Sequence, residues 1–328
     1  MGKNKLKSFK YYYGIPHAHT LFSTGKGTPY EAFEYAKNNK LDFLVITDHN
    51  SYLQKEISKN HKNISKWMTS VNMANRFKKK YEEFIPILGF ETQTNNYGDF
   101  NIINPNTFFT GVLKNLKLLV LWMYINPNAF ITINHPHKNI LLLEYNELLN
   151  KVITSIEVGN GSSPNKYIRH DKYYYSLLDK GWKLGAINGQ DNHRLNFGDD
   201  ENLTVFLAKD LSIENLIFAF RERLTYSTES KSLKLLFTIN NEIMGKEIII
   251  NSPLIKFFIF AEDKNRKIIS IEIVSNKNTI IKKVSDLNLN SIKYMYEHEI
   301  CDNETWFIIR IYQEENKMAI SSPIFINS

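Results

Sequence analysis

Six apolar segments of this chain carry a histidine or an acidic residue at or near their ends, and that repetition restricts the fold more than any other feature of the sequence. They are YYYGIPHAH (11–19), LDFLVITDH (41–49), FIPILGFE (84–91), AFITINH (129–135), TSIEVGN (154–160) and KLGAINGQDNH (183–193). A continuous apolar run such as 41–49 reads as a strand covered on both faces, as in parallel sheets. Parallel strands of an α/β layer or barrel present their C-terminal ends at one rim, so side chains far apart in sequence converge there. Amphipathic stretches lie between the strands. Thr28, Pro29 and Glu31 supply the cap hydroxyl, the fixed φ and the first-turn carboxylate that open a helix, with Ala32, Phe33 and Ala36 toward the core. A second helix is expected over 65–81. The pattern predicts an α/β fold with a barrel-like parallel sheet and its chemistry on one face.

His17 and His19, one residue apart, project from one face of a strand and can both ligate one ion. Asp48, His49, Glu91, His135, Glu157, Asp191 and His193 close the other segments. An isolated carboxylate taken out of water is costly unless it is paired or metal-bound, and a cation cluster serves all of these ends at once. Most of the nine histidines of the chain fall in these segments. The single cysteine, Cys301, leaves no pair for an internal disulfide or a zinc ribbon, so a metal must sit on imidazole and carboxylate. The G-x-S-x-G signature of a serine nucleophile is absent.

Taken in order, PHAHTLFSTGKGTP, LDFLVITDHN, GFETQTNNYGDFN, INHPH, IEVGNGS and NGQDNH, spread over Tyr13 to Thr228, resemble the motif series of the PHP family, named for its polymerase and histidinol phosphatase members. The resemblance implies a distorted seven-stranded (βα) barrel holding two or three divalent ions, zinc, manganese or iron. It assigns His17, His19, Glu91 and Asp191 to one ion, Glu91 and His135 to a second, and His49 and His193 to a third. Asp48 is implied as an orienter of an imidazole, with direct ligation as the alternative. Two departures stand out. Asp99, in Gly98-Asp99-Phe100-Asn101, occupies a position where relatives carry a ligating histidine, which shifts preference toward manganese, iron or magnesium. Ser23-Thr24-Gly25 stands where relatives supply an acidic residue or histidine. The implied chemistry is hydrolysis by a water or hydroxide held between two ions, with Asp48, Glu91, Asp191 and Arg194 as the catalytic set. Arg194 is the first choice for binding an anion, followed by Lys138 and Arg169. Glu157 and Asn160 share the rim as supporting or substrate-contacting groups. His137 is ambiguous, and His61 and His170 read as structural or solvent-exposed.

After RERLTYSTES the pattern changes to alternating strands with no helix between them, which predicts a small all-β sandwich of immunoglobulin-like size. The boundary is placed near Ser230, giving a hydrolase domain over 1–230 and a β domain over 231–328. LSIENLIFAFRERLTYST (211–228) and NNEIMGKEI (240–248) resemble a subgroup that includes carbaryl-hydrolase-like proteins.

The formal net charge of +7 arises from 41 Lys and Arg against 34 Asp and Glu, with lysine spread along the chain. That reads as a solvated surface, and its field also favours anionic partners. Neither a secretory segment nor an apolar run of membrane-spanning length is seen, and the expected location is the cytoplasm. The expected activity is metal-dependent hydrolysis of a phosphate mono- or diester in a small metabolite, a nucleotide or a nucleic-acid end, exonuclease-like action included. Hydrolysis of a carboxylic or carbamic ester, and a non-catalytic metal-stabilised binding module, are the alternatives.

Overall fold

A computed structural model describes residues 9–59 and 62–327, so the readings of the extreme N-terminus and of His61 lie outside the described residues. The strands are β1 (Lys10–Ile15), β2 (Phe43–Ile46), β3 (Glu56–Lys59), β4 (Lys62–Ser65), β5 (Ile85–Gln93), β6 (Asp99–Ile103), β7 (Phe130–Ile133), β8 (Ile153–Asn160), β9 (Ile168–Arg169), β10 (Gly185–Gly189), β11 (Leu203–Ala208) and β12 (Thr225–Thr228). The longer helices are α1 (Pro29–Asn38), α2 (Lys66–Lys80), α3 (Leu116–Tyr124), α4 (Asp171–Asp179) and α5 (Ile213–Arg221).

Helix α1 starts as its sequence dictates. The Thr28 hydroxyl accepts from Glu31 N, the Glu31 carboxylate accepts from Thr28 N at 2.6 Å, and Ala32, Phe33 and Ala36 are buried. Ser65 caps α2 in the same manner, its side chain accepting from Met68 N. Between β2 and α2 the chain makes an antiparallel hairpin, β3–β4, that the apolar pattern does not announce.

The strands pair in the order β10-β8-β7-β6-β5-β2-β1-β11-β12. The steps β1/β2, β2/β5, β7/β8 and β8/β10 are parallel, as expected. Strand β6 runs antiparallel to both β5 and β7, and β11 is antiparallel to β1. The physical reason for the reversal at β6 is the short loop from Thr94 to Gly98, which allows a hairpin but is too short for the crossover that a parallel neighbour needs. Gly98, at φ 91°, takes the left-handed turn conformation there. The sheet curls until β10 lies against β11 and β12. That seam is bridged by side chains: Asn188 N donates to Thr204 Oγ1 and Asn188 Nδ2 to Thr228 O, both at 2.9 Å.

The later strands are β13 (Lys234–Ile239), β14 (Glu242–Ile243), β15 (Glu247–Ile249), β16 (Leu254–Glu262), β17 (Ile268–Ser275), β18 (Thr279–Val284), β19 (Ser291–Glu299), β20 (Trp306–Gln313), β21 (Met318–Ser321) and β22 (Ile324–Asn327). β14-β13-β16-β19 form one sheet, while β21-β20-β17-β18 continue the first sheet because β21 pairs with β12. Phe257 and Phe307, from the two sheets, meet edge to face at 5.2 Å, and their core merges with that under β1, β11 and α5. Among the described residues no helix is long and apolar enough to cross a membrane.

Candidate metal centre

Each cluster residue arrives at the rim from a strand end. His17 and His19 follow β1, His49 follows β2, Glu91 lies in β5, His135 follows β7, and Asp191 and His193 follow β10. The backbone bridges Ala18↔Asn192 and His49↔Glu91 hold these ends side by side.

Glu91, only 3% exposed, is the hub. Its Oε1 lies 3.4 Å from His17 Nε2 and 3.2 Å from His135 Nε2, and its Oε2 lies 3.4 Å from His19 Nε2 and 3.1 Å from His49 Nδ1. Asp191 Oδ1 lies 3.1 Å from His19 Nε2, 3.5 Å from His17 Nε2 and 3.6 Å from His193 Nδ1. Three overlapping groups result, with ligand atoms within 4.8 Å of one another: His17, His19 and Asp191; His17, Glu91 and His135; and His19, His49 and His193.

A further set of side chains orients these. His17 Nδ1 donates to Glu157 Oε1 at 2.8 Å, which turns the Nε2 lone pair toward Glu91. The same fully buried Glu157 accepts from His135 N at 2.6 Å and from Asn160 Nδ2 at 2.7 Å. Asp48 is not in the cluster. Its Oδ1 accepts from Thr20 N at 2.8 Å and Ser23 Oγ at 2.5 Å, and Oδ2 accepts from Thr20 Oγ1 at 2.5 Å. Ser23 Oγ lies 3.3 Å from His19 Nδ1, so Asp48 reaches that imidazole through the serine. Asn134 Nδ2 donates to Glu91 Oε1 at 2.9 Å. Sequence reasoning missed Asn134, whose signal was its place directly before His135.

Burial opposes charge on the His19 imidazole, but hydrogen bonds to Asp191 and Glu91 and their charges outweigh it and lift the group to about 10. His135 is lifted to about 10 by Glu91, Glu157 and Asp191 against the same opposition. Despite burial, the imidazoles hold Glu91 and Asp191 below the usual carboxylate range. His135 at φ 23° and Asp191 at φ 49° take left-handed backbone. Such a conformation costs about 1–3 kcal/mol per residue and persists where surroundings enforce it. Here the enforcing bonds are Glu157 to His135 N and Asp191 N to His17 O.

The donor set fits divalent ions. His17 Nε2 and His19 Nε2 stand 3.3 Å apart with their other ring nitrogens already engaged, so both Nε2 atoms converge on one point beside Glu91 and Asp191. A divalent cation at that point would displace the imidazolium proton and take both nitrogens as ligands. Among the described residues no lysine or arginine is ion-paired with Glu91 or Asp191, and nitrogen and oxygen donors suit zinc, manganese or iron.

The remaining predicted residues fall in different places. Asp99 begins β6 and is half-buried; burial and then the Glu91 charge raise its carboxyl, yet it joins none of the three groups. Arg194 is exposed on the loop directly after His193, and among the described residues its side chain has no ion pair. Lys138 is exposed after His137, whose Nδ1 accepts from Asn139 N at 3.3 Å, away from the cluster. Arg169 is committed elsewhere, with two bonds of 2.6 Å to Glu229 and one of 2.6 Å to Asn316 O. His170 precedes α4 and stacks on Tyr173; burial lowers its pKa.

Among solved structures, a two-domain protein from Bacteroides vulgatus, described as containing a predicted PHP-like metal-dependent phosphoesterase, superposes with a TM-score of 0.54 at 17% identity. The match covers 93% of this chain and 91% of that one. An amidohydrolase from Chromobacterium violaceum gives a TM-score of 0.35 at 12% identity, over 54% of this chain and 86% of that one. A protein from Bifidobacterium adolescentis, provisionally described as a metal-dependent phosphoesterase, gives 0.36 at 12%, over 55% and 87%. These two overlap too little to bear on the fold. No family model matches the sequence, and no curated protein matches it. Over nearly its whole length the chain has the fold of the two-domain PHP-like protein, in line with the motif series.

Proposed function

We propose that this protein is a metal-dependent phosphoesterase acting on a phosphate mono- or diester of a small metabolite or nucleotide. The observation that carries the reading is the cluster itself, in which five imidazoles and two carboxylates converge with no lysine or arginine ion-paired to them among the described residues. His17, His19 and Asp191 would hold one ion and Glu91 with His135 a second, with His19, His49 and His193 as the place for a third. When bound, such ions polarise a phosphoryl oxygen and lower the pKa of water. The chain's own groups do the positioning. Glu157 fixes the tautomer of His17, Ser23 and Asp48 hold His19, and Asn134 orients Glu91. Arg194 offers an exposed guanidinium whose paired donors match phosphate geometry. The net charge of +7 supports an anionic substrate.

We assign this chemistry to a unit over 1–230, with 231–328 as a β-sandwich companion. In support, every cluster residue lies in the first stretch. The test is to load the protein with manganese or zinc and compare p-nitrophenyl phosphate, bis-p-nitrophenyl phosphate, oligonucleotides and a carboxylic ester, with Asp191→Ala as control. Phosphate-ester turnover that disappears in the variant is expected. Turnover of the carboxylic ester alone, or activity unchanged in Asp191→Ala, would overturn the reading.

A further inference from the structure

Helix α3 is apolar on both sides. Leu119 and Met123 are buried, whereas Leu118, Leu121, Tyr124 and the following Ile125 are 60%, 65%, 84% and 67% exposed. Their three- and four-residue spacings place them on one face, with Lys117 among them. The single helical turn Glu147–Asn150 packs beside α3 and adds Leu148, 57% exposed. A helix that is hydrophobic all round belongs in a core or against a partner, and a contiguous apolar patch of this kind marks an interaction surface. The charges around it are one-sided. Among the described residues Lys114 and Lys117 have no carboxylate partner, while Glu144 and Glu147 are already paired with Lys180 and Lys151.

We propose that this face docks peripherally on an anionic membrane surface. The leucines and Ile125 enter the headgroup boundary, Tyr124 sits at its level, and Lys114 and Lys117 extend to the lipid phosphates. Charge favours this occupant over a second copy of the chain. A two-fold contact through the same patch would bring the unpaired lysines of both copies together, and protein interfaces are depleted of lysine at their cores. The docking segment begins at the metal rim: Gly111 O accepts from Asn50 Nδ2 at 2.9 Å, next to His49, and Leu113 N donates to Gln93 O at 2.8 Å.

The test is co-sedimentation of the full chain with vesicles of phosphatidylcholine alone and of equimolar phosphatidylcholine and phosphatidylglycerol. Binding to the mixed vesicles that weakens with salt is expected, with little binding to the neutral ones. Lys117→Ala should lose about fivefold, the equivalent of about 1 kcal/mol per lysine at an anionic surface. Leu118→Asp combined with Leu121→Asp should abolish binding while leaving circular dichroism and activity on a soluble ester unchanged. Absence of binding to either vesicle, or binding that survives the double substitution, overturns the proposal. A dimer seen by light scattering that dissociates in the double variant assigns the face to a second copy and also overturns it.

Discussion

Buried carboxylates occur in both halves of the molecule, and they are neutralised by opposite means. In the later strands Glu272 is gripped by Arg310 at 3.0 and 2.8 Å and by Lys283 at 3.1 Å, while Asp263 accepts from Ser230, Ser232 and Gln313. At the rim Glu91 faces four imidazoles and one amide, and Asp191 faces three imidazoles. A guanidinium keeps its charge at every physiological pH, so Glu272 has a permanent counter-ion. An imidazolium surrenders its proton to a competing metal, so the partner of Glu91 is exchangeable. A buried acid therefore reads as structural or as a candidate site according to the kind of cation that faces it.

The comparison is most exposed to failure at Glu91. Glu91→Gln is expected to lower phosphoesterase activity about 10⁴-fold or more, as when one member of an interdependent catalytic set is lost. Elemental analysis should show reduced metal. Normal metal content with full activity would make the rim acid as structural as Glu272. The opposite signature is expected for Glu272→Ala, which strands a buried Arg310 and should cost about 3–5 kcal/mol in urea unfolding while metal content of the folded protein is unchanged. Glu157→Gln removes the acceptor that fixes His17 and should weaken metal affinity about 10–100-fold in competition with a chelator.

A smaller effect separates the two regions by pH. In the metal-free protein His19 and His135 are lifted from 6.5 to about 10, so their contribution to stability is complete below about 6.5 and fades as pH rises through about 10. Thermal melts in chelator should fall over that window, and added metal, which displaces those protons, should flatten the curve. A pH-independent melting temperature in chelator would contradict the proposed protonated state. The smallest effect is at the α1 cap, where Thr28→Ala should cost about 1 kcal/mol and leave metal binding untouched.

What the sequence made legible is local chemistry. The Thr28-Pro29-Glu31 signal marks α1, Ser65 opens α2 within a residue of its expected start, and apolar runs mark the strands whose ends carry the cluster. Direction was less legible than position: Asp99 reaches the rim as the first residue of the reversed β6, while the other segments arrive at their C-terminal ends. The hairpin β3–β4 is short and polar, so it carries no apolar period to read. Partners remote in sequence leave no local trace. Glu157 meets His17 across 140 residues, and Arg169, a candidate anion binder by its position, meets Glu229 across 60.

Because β12 pairs with β21, the sheet that carries the cluster is completed by residues that leave the ribosome late: about ninety residues separate Thr228 from Met318. At roughly 5–20 residues per second, the far edge of Thr225–Thr228 stays open for about 5–18 s, a row of unsatisfied backbone groups ready to template a wrong neighbour. Translation stalled near Ser230 is therefore expected to leave a more aggregation-prone product than the full chain.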